Sequence, residues 1–370
     1  MQIILKGHLR IFRKKIFAEI TSVPEALQPS YFPGLDGLRA IAIIIVLLGH
    51  LLIGRWWVNY FPGPIGVDIF FVISGFLITT LLIKEKINTG NISLNRFYIR
   101  RCLRIFPVAY LYLACLVIFN FIFNLHTTLR MFLTAGLYIG NFPVQYGSNW
   151  QTAHFWSLAV EEQFYLIFPF ILARSVNKYL VIVTVILILL PFLVVVGTLP
   201  FKMYDSSLIH KFFLSFRYLL GFGTSSILIG SLTSVLVFKR IITFEGKNHY
   251  FLSFIIFAIA IGLHITGVLN WNVLIYIFPL LISYVIVLNL TNKNFFSLIL
   301  NHPVVVKMGV LSYSVYMWQQ LFTHDQPWKK LFKYSDSLVL NCIALLVVAY
   351  FSYTFYESKF LKLKKNFKVG

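Results

Sequence analysis

One histidine lies inside an otherwise uncharged apolar run. His50 is near the end of residues 40–53, and Arg39 stands at the head of the run, eleven residues earlier. At about 100° per residue, eleven steps return a helix to nearly the same face, roughly 16 Å along its axis. Asp36, three residues before Arg39, joins this stripe. Because lipid does not solvate an ionisable group, such side chains usually face a polar cavity, where an imidazole can act as a general base.

Two adjacent glutamates, Glu161 and Glu162, lie inside another apolar segment. About 100° of helix separates them, so we expect one to face the cavity and the other a neighbouring helix. A buried carboxylate there can orient the imidazole of His50 and stabilise its charge. The alternative interpretation is a polar contact that bridges two helices.

Four arginines precede the third apolar segment: Arg96, Arg100, Arg101 and Arg104. On a helix, Arg101 and Arg104 are a turn apart, and guanidinium groups suit phosphates. The alternative is that they follow the topology rule and contact anionic lipid headgroups. With His50 they predict a route: the arginines hold the phosphates of a long anionic donor, and its arm reaches the imidazole. A hydroxyl deprotonated there would attack an activated carbonyl.

The composition is that of an integral membrane protein. Of 370 residues, 59% are hydrophobic and only 12% charged, and the mean hydropathy is +0.81. The net charge of +20 comes from residues clustered between apolar segments, not interleaved with aromatics, so no nucleic-acid partner is predicted. The nine histidines and three cysteines show no metal-ligand or disulfide spacing, so no metal is expected.

The fold predicted is an all-α, polytopic bundle of about ten transmembrane helices. Segment 131–145 is shorter and contains glycine and proline, so we predict a re-entrant or interfacial piece, with an eleventh span as the alternative. The excess of lysine and arginine on one side places both termini in the cytoplasm. We therefore divide the chain into a basic leader (1–33), a membrane domain (34–357) and a basic tail (358–370). The ten spans are predicted near 37–54, 64–83, 106–124, 153–173, 179–197, 212–237, 250–268, 272–291, 303–323 and 338–356.

Five motifs in this order resemble the acyltransferase-3 family of bacterial membrane proteins, which O-acylate surface glycans. The resemblance runs from about Phe32 to Glu357 and includes the family's Arg-x10-His pattern at Arg39 and His50. The motifs are 35–39 (LDGLR) with His50, 66–78 (GVDIFFVISGFLI), 100–107 (RRCLRIFP), 156–165 (WSLAVEEQFY) and 312–318 (SYSVYMW).

The resemblance implies acyl-CoA, usually acetyl-CoA, as the donor substrate. It implies that Arg39 is essential and that Arg101 and Arg104 lie near the donor. We assign Asp36 to the same donor site, and we expect Asp68, at the start of the second span, to orient Arg39 or another donor-site residue.

For catalysis, the resemblance implies an essential His50 and favours Glu161 over Glu162 as the functional carboxylate. One departure stands out. Many relatives read Tyr-Leu-x-His after the Ser-Tyr motif, whereas this chain has Gln319 and Gln320 there, which puts that histidine's role in acceptor handling in doubt.

We therefore expect a membrane-bound O-acyltransferase, of O-acetyltransferase type, in a bacterial cytoplasmic membrane. Its partners would be membrane lipids and a glycan or lipid-linked saccharide acceptor, whose hydroxyl receives the acyl group directly or through an acyl-enzyme. Some relatives append a hydrolase-like domain; the sequence up to Gly370 holds none, so we expect transfer in the membrane domain or to a separate partner. The alternatives are a transporter of a glycolipid or metabolite and a nonenzymatic subunit of a glycan-assembly complex.

Overall fold

The computed structural model is all-α throughout the residues it describes. Residues 1–14 of the predicted leader and residues 212–222 of the predicted sixth span lie outside that part of the chain. The described residues are 15–53, 63–142, 147–196, 223–242, 250–291, 294–329, 331 and 333–367.

Helices follow one another with short connections. Helical turns at Glu25–Leu27, Gln319–Leu321 and Lys365–Phe367 add to them, and a π-helical turn at Ser352–Glu357 joins the last two helices. In chain order the helices are α1 Pro33–Leu51, α2 Gly63–Thr89, α3 Leu94–Phe123, α4 Leu129–Gly136, α5 Trp150–Ala153, α6 Phe155–Arg174, α7 Val176–Val196, α8 Thr224–Phe238, α9 Leu252–Thr266, α10 Trp271–Thr291, α11 Phe295–Leu300, α12 Pro303–Trp318, α13 Leu338–Phe351 and α14 Ser358–Lys364.

The helices match the predicted spans. Each of the ten spans overlaps one of them, and α7, α8 and α9 are shorter apolar helices. Helix α4 has eight residues, about 12 Å, which is too short to cross a bilayer, so the described part of segment 131–145 does not span. Within the described residues, six segments are long and apolar enough to cross a membrane: Pro33–Leu51, Gly63–Thr89, Leu94–Phe123, Trp150–Arg174, Asn272–Leu290 and Leu338–Phe367.

Helix α3 extends beyond the predicted third span. Helix α3 begins at Leu94, twelve residues before the predicted position, and continues through Pro107. Proline is tolerated inside transmembrane helices because neighbouring groups satisfy the freed carbonyl. The arginines at 96–104 therefore belong to the helix itself, which places Arg101 and Arg104 at the inner face of the bundle and leaves Arg96 exposed.

Helix α2 is the centre of the bundle. In its apolar stretch of 18 residues, 78% of the residues are buried, whereas the corresponding stretch of α3 is 33% buried. It packs on α8 so closely that a Cβ on Gly75 would collide with the backbone of Ile227, and one on Gly230 with that of Val72. Hydroxyl pairs such as Thr80 with Ser234 at 2.8 Å link the same two helices. Small and hydroxylated residues are the usual means of bringing membrane helices together.

Helix α1 lies against α2 and α12. Pro33 occupies the first turn, where its missing N–H costs nothing, and Asp36 sits near the positive end of the helix dipole. A Cβ on Gly309 of α12 would collide with the backbone of Asp36. This close approach fixes the first turn of α1 against α12, and with it the position of Arg39.

Candidate active site

A cavity of about 120 Å³ lies between α1, α2, α3, α6 and α12. Three of the predicted donor-site arginines line it, Arg39, Arg101 and Arg104, together with Glu161. Arg39 belongs to α1, the other two arginines to α3 and Glu161 to α6, so residues from three distant parts of the sequence converge. The remaining wall includes aromatic and aliphatic side chains, which exclude water and strengthen charge interactions inside.

Arg39 is held by its own helix. Its guanidinium donates to Oδ1 of Asp36 at 2.6 Å, as the three-residue spacing predicts, and the hydroxyl of Tyr31 donates to Oδ2 at 2.7 Å. Partial burial, together with the Asp36 carboxylate, raises the pKa of Tyr31 to about 12, so the phenol stays protonated and remains a donor. Asp36 therefore positions Arg39 and compensates its charge.

Arg104 is held by the far end of the chain. It donates to Oε1 of Glu357 at 2.7 Å, and Ser314 donates to the other carboxylate oxygen at 2.6 Å. The side chain of Glu357 is 1% exposed. The Arg104 guanidinium also lies over the ring of Tyr313, 5.5 Å from its centroid. These contacts fix the group and balance its charge.

Arg101 differs from both. Its guanidinium lies over the rings of Tyr165 and Phe97, at 5.5 and 5.9 Å from their centroids. Among the described residues, its Nε is buried without a hydrogen-bond partner and no carboxylate oxygen lies within 4 Å. A cation stacked on aromatic rings but without an anion at contact distance is suited to receive one.

The other two of the four arginines before the third apolar segment, Arg96 and Arg100, lie elsewhere. Arg100 pairs with Glu85 at 3.0 Å and donates to the carbonyl of Phe367 at 2.8 Å, so it joins α3 to α2 and to the C-terminal turn. Arg96 is exposed. The four arginines at positions 96–104 therefore have different surroundings.

The two glutamates face different ways, as their spacing predicts. Glu161 lines the cavity and lies within hydrogen-bonding reach of Ser74, which in turn is bonded to Tyr165. Glu162 points to the α3 side, where Tyr138 is among the groups it affects electrostatically, and its Oε1 is buried without a partner in the described part of the chain. The carboxylate of the cavity is thus Glu161.

Asp68 does not orient Arg39, and that expectation was wrong. Its Oδ1 accepts a hydrogen bond from Ser226 of α8 at 2.8 Å, and the arginine has Asp36 instead. Asp68 therefore ties the central helix to α8.

His50 lies at the other end of α1, half-buried. Its Nδ1 contacts the amide oxygen of Gln319 at 2.6 Å, and its ring meets Trp150 edge to face at 5.2 Å. Because an amide oxygen only accepts, we assign the proton to Nδ1, which leaves the lone pair on Nε2. Gly63, the first residue of α2, lies beside that nitrogen: a Cβ there would be 3.5 Å from Nε2. The arrangement presents a base.

Comparison with known proteins agrees with the motifs. A family model described as "Acyltransferase domain", that of the acyltransferase-3 family, matches residues 32–357. The chain belongs to the acyltransferase-3 family. The comparison with solved structures found no match.

Curated relatives of this acyltransferase-3 member carry O-acetyltransferase names. It is 41% identical to "O-acetyltransferase OatA" of Staphylococcus aureus (strain NCTC 8325 / PS 47) over 164 residues, which cover 41% of the chain and 26% of that protein. It is 29% identical to "Putative O-acetyltransferase SACOL0978" of Staphylococcus aureus (strain COL) over 377 residues, covering 90% of the chain and 58% of that protein. The chain thus spans only part of the length of these relatives.

The partner of His50 corrects the sequence interpretation. Neither Glu161 nor Glu162 orients the imidazole; Gln319 does, and it is fully buried. It stands where the family pattern has the histidine of Tyr-Leu-x-His. The sequence shows that Gln319 departs from the family motif, but one sequence does not show that it contacts His50, 269 positions away.

A polar line on α6 runs between the two ends. His154, Ser157 and Glu161 follow at spacings of three and four, which put them on one face. His154 is 3% exposed, and in the described residues both ring nitrogens lack partners; Ser157 is bonded to Tyr316 at 2.6 Å. Sequence reasoning missed His154, although its spacing from Glu161 was a usable signal.

The open route expected from the arginines to His50 is interrupted. Ser157 and Tyr316 line the arginine cavity, whereas His50 does not. Behind this pair lies His154, whose ring is 5.8 Å from that of Tyr316. The Ser157–Tyr316 pair therefore closes the cavity on the His50 side in this structure, and a long substrate must displace it to pass.

Proposed function

We propose that this protein is an O-acetyltransferase that moves an acetyl group from acetyl-CoA to a hydroxyl of a cell-surface or secreted glycan. The observation that carries the proposal is Arg101, a half-buried side chain whose Nε is buried and which has no carboxylate at contact distance among the described residues. The other arginines of its cavity already have partners. A donor with several phosphates supplies the missing anion. Family membership and the names of the relatives support the acyl transfer.

Arg101 takes the main role in donor binding. Arg39 and Arg104 each have an ion-pair partner and offer their remaining N–H groups, so they shape the cavity and add hydrogen bonds. The arginine end faces the cytoplasm in this proposal, with both termini, because the positive-inside rule places basic connections there and acyl-CoA is made on that side. The membrane is the cytoplasmic membrane of a bacterium.

The chemistry takes place at Nε2 of His50. The acceptor hydroxyl gives its proton to Nε2 while its oxygen attacks the thioester carbonyl carbon. The carbon–sulfur bond then breaks, and the thiolate leaves with the proton returned from the imidazolium. Gln319 holds Nδ1–H throughout, which keeps the ring in the tautomer that presents a base.

The arm of the donor reaches His50 by passing Ser157 and Tyr316. Their hydrogen bond is the narrow point between the cavity and His154. Opening it exchanges one bond between hydroxyls for bonds to the polar atoms of the arm, so the cost is about 1 kcal/mol. Donor binding and opening are therefore coupled, so the passage toward His50 opens only when a donor occupies the cavity.

The test is mass spectrometry of surface glycans from a deletion strain of the source bacterium, complemented with wild type, His50→Ala, Arg101→Gln or Arg96→Gln. We expect wild type and the exposed-arginine control, Arg96→Gln, to restore a mass of one acetyl group per repeat, and His50→Ala to restore none. In membranes, Arg101→Gln should raise KM for acetyl-CoA roughly 10- to 100-fold, since a charged hydrogen bond is worth about 1.5–3 kcal/mol.

Full restoration by His50→Ala would contradict the enzymatic proposal and would favour a nonenzymatic subunit. Export of an unmodified glycolipid without consumption of acetyl-CoA would favour a transporter.

A further inference from the structure

A second cavity lies apart from the active site. It has a volume of about 460 Å³ and is enclosed by residues 18–21, the end of α2, the junction of α6 with α7 and the end of α8. Three basic side chains line it, Lys86, Arg174 and Lys239, with the single carboxylate of Glu19. Nothing in the proposed reaction uses these residues.

Among the described residues, the lysines of this basic cavity contact only neutral oxygens. Lys239 is 6% exposed and donates to Oδ1 of Asn177 at 2.7 Å and to the carbonyl of Ala18 at 2.8 Å. Lys86 donates to the carbonyl of Ala173, in the last turn of α6, at 2.8 Å. These bonds satisfy donors but leave the positive charges without an anion. Burial accordingly lowers the pKa of Lys239.

One helix begins at this cavity and three end at it. Helix α7 begins at Val176, and residues 175–177 line the cavity, so the positive end of its dipole points at it. The negative ends of α2, α6 and α8 carry the basic residues Lys86, Arg174 and Lys239. Arg174 stands at the mouth, exposed, with its guanidinium 3.7 Å from the centroid of the Phe170 ring. Three cations face one exposed carboxylate, Glu19, in a space large enough for more than a single ion.

We propose that this basic cavity binds a phosphate group, carried by the headgroup of an anionic phospholipid. The cavity opens where the helices α2, α6 and α8 end and α7 begins. In this proposal, that is the depth at which lipid headgroups lie. Basic pockets between helices on the cytoplasmic side are suited to anionic lipid headgroups. The bound headgroup bridges the α6–α7 junction to α2 and α8 and so holds these elements together through Lys86 and Lys239.

The experiment uses the full chain purified in a neutral detergent. Thermal unfolding is measured with added phosphatidylglycerol, phosphatidylcholine or inorganic phosphate, for wild type, Lys86→Gln/Arg174→Gln and Lys178→Gln. Lys178 is the matched control. It is exposed and lies in the first turn of α7, next to the lining residues 175–177, but it does not line the cavity. Phosphatidylglycerol at about a hundred times its Kd should raise Tm of wild type and of the control by roughly 5 °C.

The double variant should lose at least two thirds of that shift, while phosphatidylcholine shifts none of the proteins. An equal shift from inorganic phosphate, lost in the same variant, would support the phosphate site and identify a soluble ligand. An undiminished shift in the double variant, or an equal loss in Lys178→Gln, would overturn the proposal. If circular dichroism shows the double variant unfolded, Arg174→Gln decides alone, because that side chain is exposed.

Discussion

Replacing Gln319 with methionine removes the acceptor for Nδ1 of His50 and keeps the volume of the side chain. The bond is 2.6 Å long and Gln319 is 0% exposed, so water has no access to replace the lost oxygen. A buried N–H left without a partner costs about 1–3 kcal/mol. Because the other tautomer avoids this cost, the imidazole will turn its proton toward the acceptor and lose its function as a base.

The expected effect on rate follows from that energy. With about 1.4 kcal/mol for each factor of ten, kcat should fall roughly 5- to 150-fold, and the absence of water favours the upper half of this range. KM for acetyl-CoA should change less than threefold, since Arg39 lies about 16 Å from His50 along α1 and Arg101 and Arg104 line the same cavity as Arg39. The assay is the initial rate of labelled acetyl transfer from acetyl-CoA to the acceptor glycan in isolated membranes.

Two further variants separate positioning from folding. Gln319→Glu keeps an acceptor oxygen at the same place, so it should retain far more activity than the methionine variant. Asn289→Leu removes an amide that bonds Ser253 at 2.6 Å, between α9 and α10, and should leave kcat unchanged. A folded Gln319→Met protein with more than half of the wild-type kcat would refute the reasoning, and so would a Gln319→Glu variant as slow as Gln319→Met.

Three other changes have expected outcomes. Glu357→Gln should destabilise the protein by about 3 kcal/mol, measured by denaturant unfolding, because it leaves a buried arginine without its counter-charge; an unchanged midpoint would show that the pair contributes nothing. Gly63→Ala places a methyl 3.5 Å from Nε2 of His50, an ordinary contact, so the fold should persist while kcat falls at least tenfold. Gly262→Ala, which meets no atom within 4 Å, is its control and should behave as wild type. Gly75→Val should prevent α2 from packing on α8 and abolish folded protein in detergent; a stable variant would disprove that close approach.

Local spacing predicted the local geometry well. The three-residue interval between Asp36 and Arg39 became an ion pair, and the adjacent pair Glu161 and Glu162 divided between the cavity and a neighbouring helix. Helical periodicity decides both, and it depends only on residues within a turn of each other. The catalytic and donor-binding roles assigned to these side chains stay predictions.

Contacts between distant segments were beyond the sequence. Gln319 meets His50 across 269 positions, and Glu357 meets Arg104 across 253. Which of several buried polar groups becomes the partner depends on how the helices rotate and slide against each other, and one sequence does not specify that. The expected partners of Asp68 and of the two glutamates were wrong for this reason.

The ion pair between Arg104 of α3 and Glu357 of the π-helical turn affects how the protein is made. Arg104 leaves the ribosome 253 residues before Glu357, a delay of roughly 13 to 50 s at ordinary elongation rates. Throughout that interval the nascent chain carries an uncompensated guanidinium in its third span, so that span must stay near the translocon, a chaperone or water. Assembly of the arginine cavity is thereby tied to the end of translation, and a chain released early would offer the quality-control proteases an unpaired charge in the membrane.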